Sequence, residues 1–405
     1  MSGPVGAPGR GGSAPAVDVL VAGAGPAGAA AAITAAQQGL DVLVVDKATF
    51  PRDKTCGDGL TAAALRTLED LGLDLAALPS YSSVREAVVV SPSGRQARLP
   101  LPGPGERTGV GPRAELDAAL VDLARARGAK VEEGRAVVGV TESAGHVDVD
   151  LEDGTTIRTR HVVAADGHYS VVRRLLDPMR TPSLGEWSAF RQYFRGVDDL
   201  RLWVLFDRDL LPGYAWVFPL PDGRANVGFC VLRRHRSGKE VKDLWAGLAA
   251  RPGMRPVLGD ATPEDRHRAW PIPAALDLDT IARPRVLFTG DAAGLVDPMT
   301  GEGIAQALES GILAARAIGR GGDVAGAYRD AVRRHLATDL RFAELLQRVL
   351  ARPWGARGAI RAVDTNDWTR AQFARWMFED YPRALLLTPR RWRRGVFSRP
   401  GAFAW

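Results

Sequence analysis

Three glycines and one acid near the start of the chain have the types and spacing needed to bind a dinucleotide. Gly23, Gly25 and Gly28 follow the pattern GxGxxG, and Asp46 comes 18 residues after Gly28. The first glycine permits a tight turn, the second lets backbone N–H groups approach a pyrophosphate, and the third lets a helix lie close to a strand. An acid at about this distance can bind an adenosine ribose.

The surrounding elements come in the order that a βαβ unit requires. The apolar run 17–21 predicts a strand, an Ala-rich helix follows the glycines, and 41–45 predicts a second strand just before Asp46. A signal peptide or a membrane helix is the alternative for so apolar a run. Asp18 and the Gly/Pro cluster interrupt it, and no basic segment with an apolar core precedes it. We therefore predict a Rossmann-like unit.

A loop with reactive side chains follows this unit. Residues 51–59 include Lys54, Cys56 and Asp58. Loops that leave the carboxyl ends of strands line the ligand crevice of such sheets, so these side chains are placed to contact a cofactor or a substrate. Cys56 can be an exposed thiol in that crevice or a small side chain that fills a tight turn, and the residues alone leave both open.

Two later strands also end in glycine and aspartate. Asp166 and Gly167 follow the last strand of a predicted β-meander, and Gly290 and Asp291 follow a buried-type strand close to a second predicted helix start. The meander strands are predicted at 130–140, 146–151 and 155–165, and the later strand at 286–289. The sequence thus returns to the first sheet after a long intervening segment.

Two predicted helix starts can face an anion. Arg113 begins a helix that ends before Gly128, and its side chain can reach a phosphate or a cofactor ring, or lie on the surface. The other helix opens at about Gly301. Gly301 and Gly303 leave its first turn as bare backbone, so its N–H groups and positive end can approach a negative charge.

Aromatic residues gather between 181 and 273. A hairpin is predicted there around the turn 221–223, and Tyr214, Trp216 and Phe218 alternate along its first strand. An aromatic sheet face can be plain core or the wall of an apolar pocket. Both interpretations stay open from the sequence.

Composition excludes several classes of protein. The 405 residues contain two cysteines, which argues against a disulfide scaffold and predicts a reducing compartment, by default the cytoplasm. The six histidines show no metal-ligand spacing, so no metal site is predicted, and no transmembrane run is found. Residues 1–16 are small and Gly/Pro-rich and predict a disordered lead.

The end of the chain is basic and aromatic. After Asp380 there is no acid, and the arginines there equal the whole net charge of +6. They are Arg383, Arg390, Arg391, Arg393, Arg394 and Arg399, interleaved with Trp392, Phe397, Phe403 and Trp405. Such a tail can bind an anionic membrane surface or nucleic acid, or pack on the body of the protein. No nucleic-acid-binding motif supports a nucleic-acid partner, so peripheral membrane contact and packing on the body of the protein are the two possibilities that remain.

Four motifs in this order resemble a known family. GAGPAG, PRDKTCGDG, VVAADGHYS and FTGDAAGLVDPMTGEGI are similar to FAD-dependent oxidoreductases of the para-hydroxybenzoate hydroxylase type. KTCGDG at 54–59 and PGYAWVFP at 212–219 more closely resemble the geranylgeranyl reductase family. The resemblance covers roughly 17–340. It weakens over 181–211 and after 340, the parts expected to contact and select the substrate.

The resemblance implies a set of site residues. The substrate cavity would be lined by Tyr214, Trp216 and Phe218, and the flavin ring would lie against 301–304. Cys56 near the ring would be the catalytic residue, with the thiol or a water near it donating a proton. The implied cofactor-binding residues are Gly23, Gly25, Pro26, Ala27, Gly28, Asp46, Lys47, Cys56, Gly57, Arg113, Asp166, Gly167, Gly290, Asp291, Pro298, Gly301, Gly303 and Ile304.

The implied activity is hydride delivery from reduced FAD to a carbon–carbon double bond of an isoprenoid or polyprenyl lipid. A flavin monooxygenase or halogenase acting on an aromatic or polyketide-type molecule is the alternative, because it would share the fold and the aromatic segment. A flavin-binding carrier without activity is a third possibility, disfavoured by the aromatic region. Since no second GxGxxG follows a strand, NAD(P)H or another electron donor is expected to bind only transiently.

The fold class predicted is α/β, with a Rossmann-like FAD-binding domain, a second mixed β-sheet substrate domain and a C-terminal helical region. The FAD-binding domain is expected in three parts, so the chain crosses between the two domains repeatedly. The predicted segments are a lead at 1–16, FAD-binding parts at 17–84, 106–180 and 276–340, substrate-domain parts at 85–105 and 181–275, and helices with the basic tail at 341–405.

Overall fold

The structure is a computed structural model that describes residues 16–101, 108–179, 185–233, 236–392 and 394–396. Residues 1–15 of the predicted lead, and Arg393 and 397–405 of the predicted tail, lie outside the described residues.

The described residues form runs of strands separated by helices, and the chain then continues as helices alone after the last strand. The strands are β1 (Val17–Ala22), β2 (Val42–Asp46), β3 (Gly59–Leu60), β4 (Ser82–Val84), β5 (Glu86–Val90), β6 (Gln96–Pro100), β7 (Thr108–Val110), β8 (Lys130–Glu133), β9 (Val137–Glu142), β10 (Val147–Leu151), β11 (Thr156–Ala164), β12 (Trp187–Arg195), β13 (Leu202–Leu205), β14 (Ala215–Leu220), β15 (Arg224–Leu232), β16 (Thr262–Pro263), β17 (Arg268–Ile272) and β18 (Val286–Phe288). The helices are α1 (Pro26–Gln37), α2 (Ala62–Leu71), α3 (Arg113–Ala126), α4 (Val171–Leu176), α5 (Gly238–Ala246), α6 (Arg255–Leu258), α7 (Ile304–Arg320), α8 (Val324–Val332), α9 (Thr338–Leu350), α10 (Pro353–Val363) and α11 (Asp367–Met377).

The first sheet carries the predicted βαβ unit. Strands β8, β2, β1, β11 and β18 lie side by side and parallel. The residues of β1 and β2 are almost all buried, as expected for parallel strands covered on both faces. Helices α1 and α7 pack closely together, and this contact requires glycine at position 311, since a Cβ there would lie only 2.1 Å from the carbonyl oxygen of Ala27. The α/β fold class is confirmed.

The predicted meander is wrong in its first strand. Strands β9, β10 and β11 form an antiparallel meander, but β8 pairs in parallel with β2 at the far edge of the sheet. The helix α3 precedes β8 and carries the chain across the sheet, so β8 completes a parallel crossover. Apolar periodicity cannot distinguish a parallel from an antiparallel neighbour, since both place side chains alternately on two faces.

The second sheet is mixed, as predicted. Its strand order is β16-β12-β15-β14-β13-β5-β6. Neighbouring strands in this order are antiparallel, except that β13 and β5 are parallel. The hairpin of β14 and β15 turns at Asp222 and Gly223, which both have positive φ as a two-residue hairpin turn requires. Strands β5 and β6 join this sheet from much earlier in the chain, which is the placement predicted for 85–105.

The C-terminal helices cover one face of the second sheet. Ile360 of α10 and Phe378, just after α11, pack with residues of β5, β6 and β13. Helix α8 continues into α9 through a π-helical stretch, Arg333–Ala337. The predicted segment boundary at 340/341 therefore lies inside α9. Within the described parts of the chain, no helix is long and apolar enough to cross a membrane.

Candidate functional site

One large cavity of about 680 Å³ lies where the two sheets and the C-terminal helices meet. It begins at the carboxyl ends of β1, β2 and β11 and continues past β14 to α9, α10 and α11. Most of the residues singled out from the sequence line it. They are Gly23, Gly25, Pro26, Ala27, Asp46, Lys47, Cys56, Gly57, Arg113, Asp166, Gly167, Tyr214, Trp216, Phe218, Gly290, Asp291, Gly301, Gly303 and Ile304.

Two residues of the predicted cofactor set do not line the cavity. Gly28 faces β1, where a Cβ would lie 1.8 Å from the carbonyl oxygen of Gly23. Its role is to let α1 pack against the turn, as the GxGxxG pattern requires. Pro298 lies in the loop before α7, and its carbonyl oxygen accepts a hydrogen bond from the Gln347 side chain on α9.

The glycine turn leaves an open anion site at the start of α1. Gly23 has φ of +99°, and a Cβ there would lie 2.5 Å from the carbonyl oxygen of Ala165. Helix α1 has no side-chain cap and no acid in its first turn, so its N–H groups remain available to a phosphate. Asp46 holds the turn in shape, because its carboxylate accepts hydrogen bonds from the N–H groups of Ala24 (2.7 Å) and Ala48 (2.8 Å).

Two arginines lie over this turn and share one buried acid. Arg113 donates two hydrogen bonds to Asp117, at 2.8 and 2.7 Å, and Arg52 pairs with the same carboxylate at 3.1 Å. A Cβ on Gly25 would lie 3.6 Å from Arg52 and 4.0 Å from Arg113. Asp117 therefore holds two cations in place beside the loop that a pyrophosphate approaches. Sequence reasoning proposed Arg113 but missed Arg52 and Asp117.

The Cys56 loop is fixed by a hydrogen-bond network that ties it to the second sheet. Asp58, with φ of +62°, accepts from the Tyr193 hydroxyl at 2.6 Å and from the Asn226 amide at 2.8 Å. The same amide donates to the carbonyl oxygen of Cys56 at 2.8 Å, and the Asn226 oxygen accepts from the indole of Trp216 at 3.0 Å. Asp58 and Asn226 thus position both the cysteine and one wall of the cavity.

Burial changes the protonation of the groups around this loop. Burial, with a smaller contribution from the charge of Asp58, raises the pKa of Cys56 to about 11. Burial lowers the pKa of Lys54 to about 8, and its ammonium lies 3.9 Å from the centre of the Trp270 ring. At neutral pH the Cys56 thiol therefore keeps its proton, which a proton donor requires.

The loop before α7 supplies a second buried acid. Glu302 lines the cavity, and its carboxylate accepts a hydrogen bond from the N–H of Ile304 at 3.0 Å. Burial and the nearby charge of Glu379 raise the pKa of Glu302 to about 8, so it is mostly protonated at neutral pH. The Tyr214 hydroxyl donates to the carbonyl oxygen of Thr300 at 2.5 Å and anchors this loop to β14.

Helix α7 begins at Ile304, three residues later than the sequence predicted. Asp297 explains the difference, because its carboxylate accepts from the N–H groups of Met299 and Thr300 and closes a turn ahead of the helix. Gly303 is the N-cap and offers no side-chain cap. The open helix end still faces the cavity, as expected.

The far arm of the cavity is apolar. One wall comes from the second sheet, including Leu202, Val204 and Phe206. The opposite wall comes from α9, α10, α11 and the residues just beyond: Leu346, Val349, Leu350, Ala356, Ala359, Ile360, Phe373, Trp376, Met377 and Phe378. Both walls come from the segments in which the family resemblance weakens.

Part of the predicted basic tail belongs to the core. Arg383 is 4% exposed, donates to Asp297 at 2.8 Å and lies 3.5 Å from Glu379. Arg391 pairs with Asp339 at 3.0 Å. For these two arginines the tail packs on the body of the protein, one of the alternatives that the sequence left open, because acids earlier in the sequence neutralise them. Arg390 and Arg394 are exposed.

Comparison with known proteins shows which family the chain belongs to. The model of an FAD binding domain covers residues 16–319. A menaquinone reductase of Mycolicibacterium smegmatis is 34% identical over 83% of this chain and 85% of its own length. A digeranylgeranylglycerophospholipid reductase of Methanopyrus kandleri is 30% identical over 73% and 75%. The chain belongs to the geranylgeranyl reductase family of FAD-dependent oxidoreductases.

Solved structures share the fold. A geranylgeranyl bacteriochlorophyll reductase-like protein of Thermoplasma acidophilum superposes with a TM-score of 0.75 at 24% identity, over 92% of this chain and 98% of its own. A flavin-dependent halogenase superposes with a TM-score of 0.72 at 23% identity, over 89% and 70%. Both show the fold alone. The family model and the two reductase relatives show in addition that the chain is a flavoprotein enzyme whose cofactor is FAD.

The cavity fits FAD at its polar end. The bare turn at Gly23, the uncapped start of α1 and the cations of Arg52 and Arg113 suit the pyrophosphate. The start of α7 also lines the cavity, and its positive end suits the electron-rich edge of a reduced flavin ring, although the N–H of Ile304 is bonded to Glu302. The individual cofactor contacts stay predictions.

Asp58 is expected to make the environment of bound FAD sensitive to pH. Burial raises the pKa of Asp58 to about 6, while the hydrogen bonds from Tyr193 and Asn226 oppose the rise. The visible spectrum of the bound flavin should therefore titrate near pH 6, because protonation removes an acceptor from the network that holds Cys56. In Asp58→Asn this titration should vanish, and asparagine tolerates the positive φ.

The control is Tyr193→Phe. It removes a hydrogen bond that stabilises the charged carboxylate, so the titration should persist and move above pH 6. A spectrum that titrates identically in all three proteins would show that Asp58 has no influence on the flavin.

Proposed function

We propose that this enzyme reduces carbon–carbon double bonds of an isoprenoid or polyprenyl substrate. The observation that carries the proposal is the single cavity in which the FAD cleft opens into a long apolar arm. A chain of isoprene units offers no hydrogen-bonding groups, and this arm is lined by aliphatic and aromatic side chains that suit it. The printed functions of the relatives, a menaquinone reductase and a digeranylgeranylglycerophospholipid reductase, support the same substrate class.

Reduced FAD would supply the hydride. The protein must hold the double bond over the flavin, exclude water and deliver a proton to the neighbouring carbon. Tyr214, Trp216 and Phe218 lie along the wall between the cofactor cleft and the apolar arm and would orient the chain. Cys56 and Glu302 both line the cavity there and both are protonated at neutral pH.

Variants of the two acids distinguish their roles. We expect Cys56→Ala to slow flavin reoxidation by the alkene about 100-fold if the thiol donates the proton, a typical contribution of general acid catalysis. Glu302→Gln keeps a neutral group of the same shape without an acidic proton. Loss of rate in that variant, with Cys56→Ala unaffected, would assign proton donation to Glu302 instead.

The pH dependence of the rate provides a second measurement. A donor with the pKa of Glu302, about 8, should lose activity above pH 8, because its proton is gone. A donor with the pKa of Cys56, about 11, should keep its activity to pH 10. FAD content measured by absorbance controls for cofactor loss in both variants.

The electron donor is proposed to be NAD(P)H or a protein that meets FAD transiently. The support is the sequence pattern, which contains no second GxGxxG after a strand. Reduction of the oxidised protein by NADPH, NADH and dithionite under argon, followed at the flavin absorbance, identifies the donor. Dithionite is the control that shows the flavin can be reduced at all.

The deciding experiment is anaerobic. The dithionite-reduced protein, freed of excess dithionite, is mixed with a geranylgeranyl lipid, which has no quinone ring to accept the electrons, and flavin reoxidation is followed together with product mass. We expect reoxidation without oxygen and a product heavier by two hydrogens. Reoxidation only after oxygen is admitted, with oxygen or halogen added to an aromatic substrate, would replace this proposal by a monooxygenase or halogenase.

A further inference from the structure

The corner between α9 and α10 combines exposed apolar residues with unusual charge. Among the large apolar side chains exposed there are Leu345 (54%), Val349 (41%) and Trp354 (65%). Residues 341–361 contain five arginines and one acid, Glu344. The arginines, all exposed, are Arg341, Arg348, Arg352, Arg357 and Arg361. We call the exposed residues of 341–361 the helix corner.

Helical spacing places these residues on the outer side of both helices. On α9, Arg341, Leu345 and Arg348 recur three or four residues apart, and on α10 so do Trp354, Arg357 and Arg361. The turn between the helices is tightly closed, because a Cβ on Gly355 would lie 2.2 Å from the carbonyl oxygen of Val349. The cationic and apolar groups are therefore held together on a fixed surface.

The inner side of the same two helices forms a wall of the apolar cavity arm. Leu346 and Leu350 of α9 and Ile360 of α10 line the cavity. Val349 belongs to both sides, since it lines the cavity and is 41% exposed. The helix corner thus lies directly outside the apolar arm.

We propose that the helix corner docks this enzyme on an anionic lipid bilayer, so that a lipid substrate passes from the bilayer into the apolar arm. An apolar surface that includes a tryptophan and is surrounded by arginines matches the interface between acyl chains and anionic headgroups. This proposal rests on the proposed lipid substrate. It differs from the predicted tail contact, because the helix corner ends at residue 361 and the basic tail begins after Asp380.

Vesicle binding tests the corner without any catalytic readout. The FAD-loaded full chain is sedimented with vesicles of phosphatidylcholine alone, or of an equimolar mixture with phosphatidylglycerol. We expect at least about tenfold tighter binding to the mixture, weakening as salt is added. Arg352→Gln combined with Arg357→Gln should lower binding to the mixture about 25-fold, since each arginine contributes about fivefold near an anionic surface.

Matched controls separate the corner from the rest of the C-terminal region. Trp354→Ala should weaken binding about tenfold. Trp368→Ala should not weaken binding, although Trp368 is 61% exposed. Trp354 lies near the start of α10, about 14 Å along the helix from its last residue, and Trp368 lies beyond that far end, beside Asp367. Arg390→Gln combined with Arg394→Gln should leave binding unchanged. Loss of binding only in this last variant would assign docking to the tail and overturn the proposal.

Two further outcomes would also overturn it. Equal binding to neutral and anionic vesicles would remove the role of the arginines. A dimer in light scattering that Trp354→Ala converts to monomer would show that a second copy of the chain covers the corner. Turnover gives an independent readout: vesicle binding that depends on the corner, with no isoprenoid reduced, would support docking while refuting the proposed function. Reduction of the isoprenoid without vesicle binding would support the proposed function while refuting docking.

Discussion

Replacing Arg383 with methionine is expected to lower the free energy of unfolding by about 3–5 kcal/mol, the cost of leaving buried acids without their cation. The Arg383 guanidinium donates to Asp297 at 2.8 Å and lies 3.5 Å from Glu379, and these two acids are 1% and 6% exposed. Methionine fills much of the space but carries no charge. Urea denaturation of the FAD-loaded protein measures the loss.

The loss should shrink as pH falls, because protonation neutralises the Glu379 carboxylate left unpaired. Burial already raises the pKa of Glu379 even with Arg383 present. Arg390→Met is the control: Arg390 is exposed in the same segment, and its replacement should cost less than about 1 kcal/mol. A similar stability for both variants would show that Arg383 is not required to neutralise the acids.

Gly28→Ala is expected to remove FAD from the protein. A Cβ at this position would lie 1.8 Å from the carbonyl oxygen of Gly23, and backbone cannot yield there as a flexible side chain would. Helix α1 must therefore move away from β1, which costs about 3 kcal/mol and opens the phosphate turn. We expect at least about a tenfold loss of bound FAD, measured by the ratio of flavin to protein absorbance.

Gly358→Ala is the matched control for this substitution. Gly358 also lies within a helix, α10, but a Cβ there meets no atom within 4 Å. Alanine should stabilise that helix by about 0.5–1 kcal/mol and leave the FAD content unchanged. Full FAD content in Gly28→Ala would mean that the close approach of α1 to the turn is dispensable.

The cofactor half of the site could be predicted from sequence because its chemistry is local. The turn at Gly23, the helix after it and the acid at 46 lie within one continuous segment, and their spacing alone encodes the geometry. The same holds for the hairpin of β14 and β15, whose turn residues specify its type. The family resemblance added the order of the later segments.

Most of the missed features depend on residues that meet only in the folded chain. The Arg113–Asp117 pair has the i,i+4 spacing of a helical ion pair and could have been found from the sequence. Asp117 also meets Arg52 of a separate segment, however, and Asp297 meets Arg383, 86 residues later. No spacing rule reports such pairs. The parallel position of β8 also escaped, because strand patterns do not identify the neighbouring strand. The part after 340 was expected to contact the substrate, but the individual residues of the apolar wall from α9 to α11 could not be predicted, because ordinary amphipathic helices look the same whether they face a core or a cavity.

The π-helical stretch Arg333–Ala337 determines how far α9 is rotated about its axis relative to α8. A π-bulge arises from one inserted residue, and each residue turns a helix by about 100°. The wider π turn absorbs that extra rotation locally, so loss of one residue within the stretch would restore a regular α-helix and leave the residues after it on the same sides. Loss of one residue later in α9, before Leu346, would instead shift Leu346 from the cavity wall into the outward position that Leu345 now occupies, because no wider turn there absorbs the change.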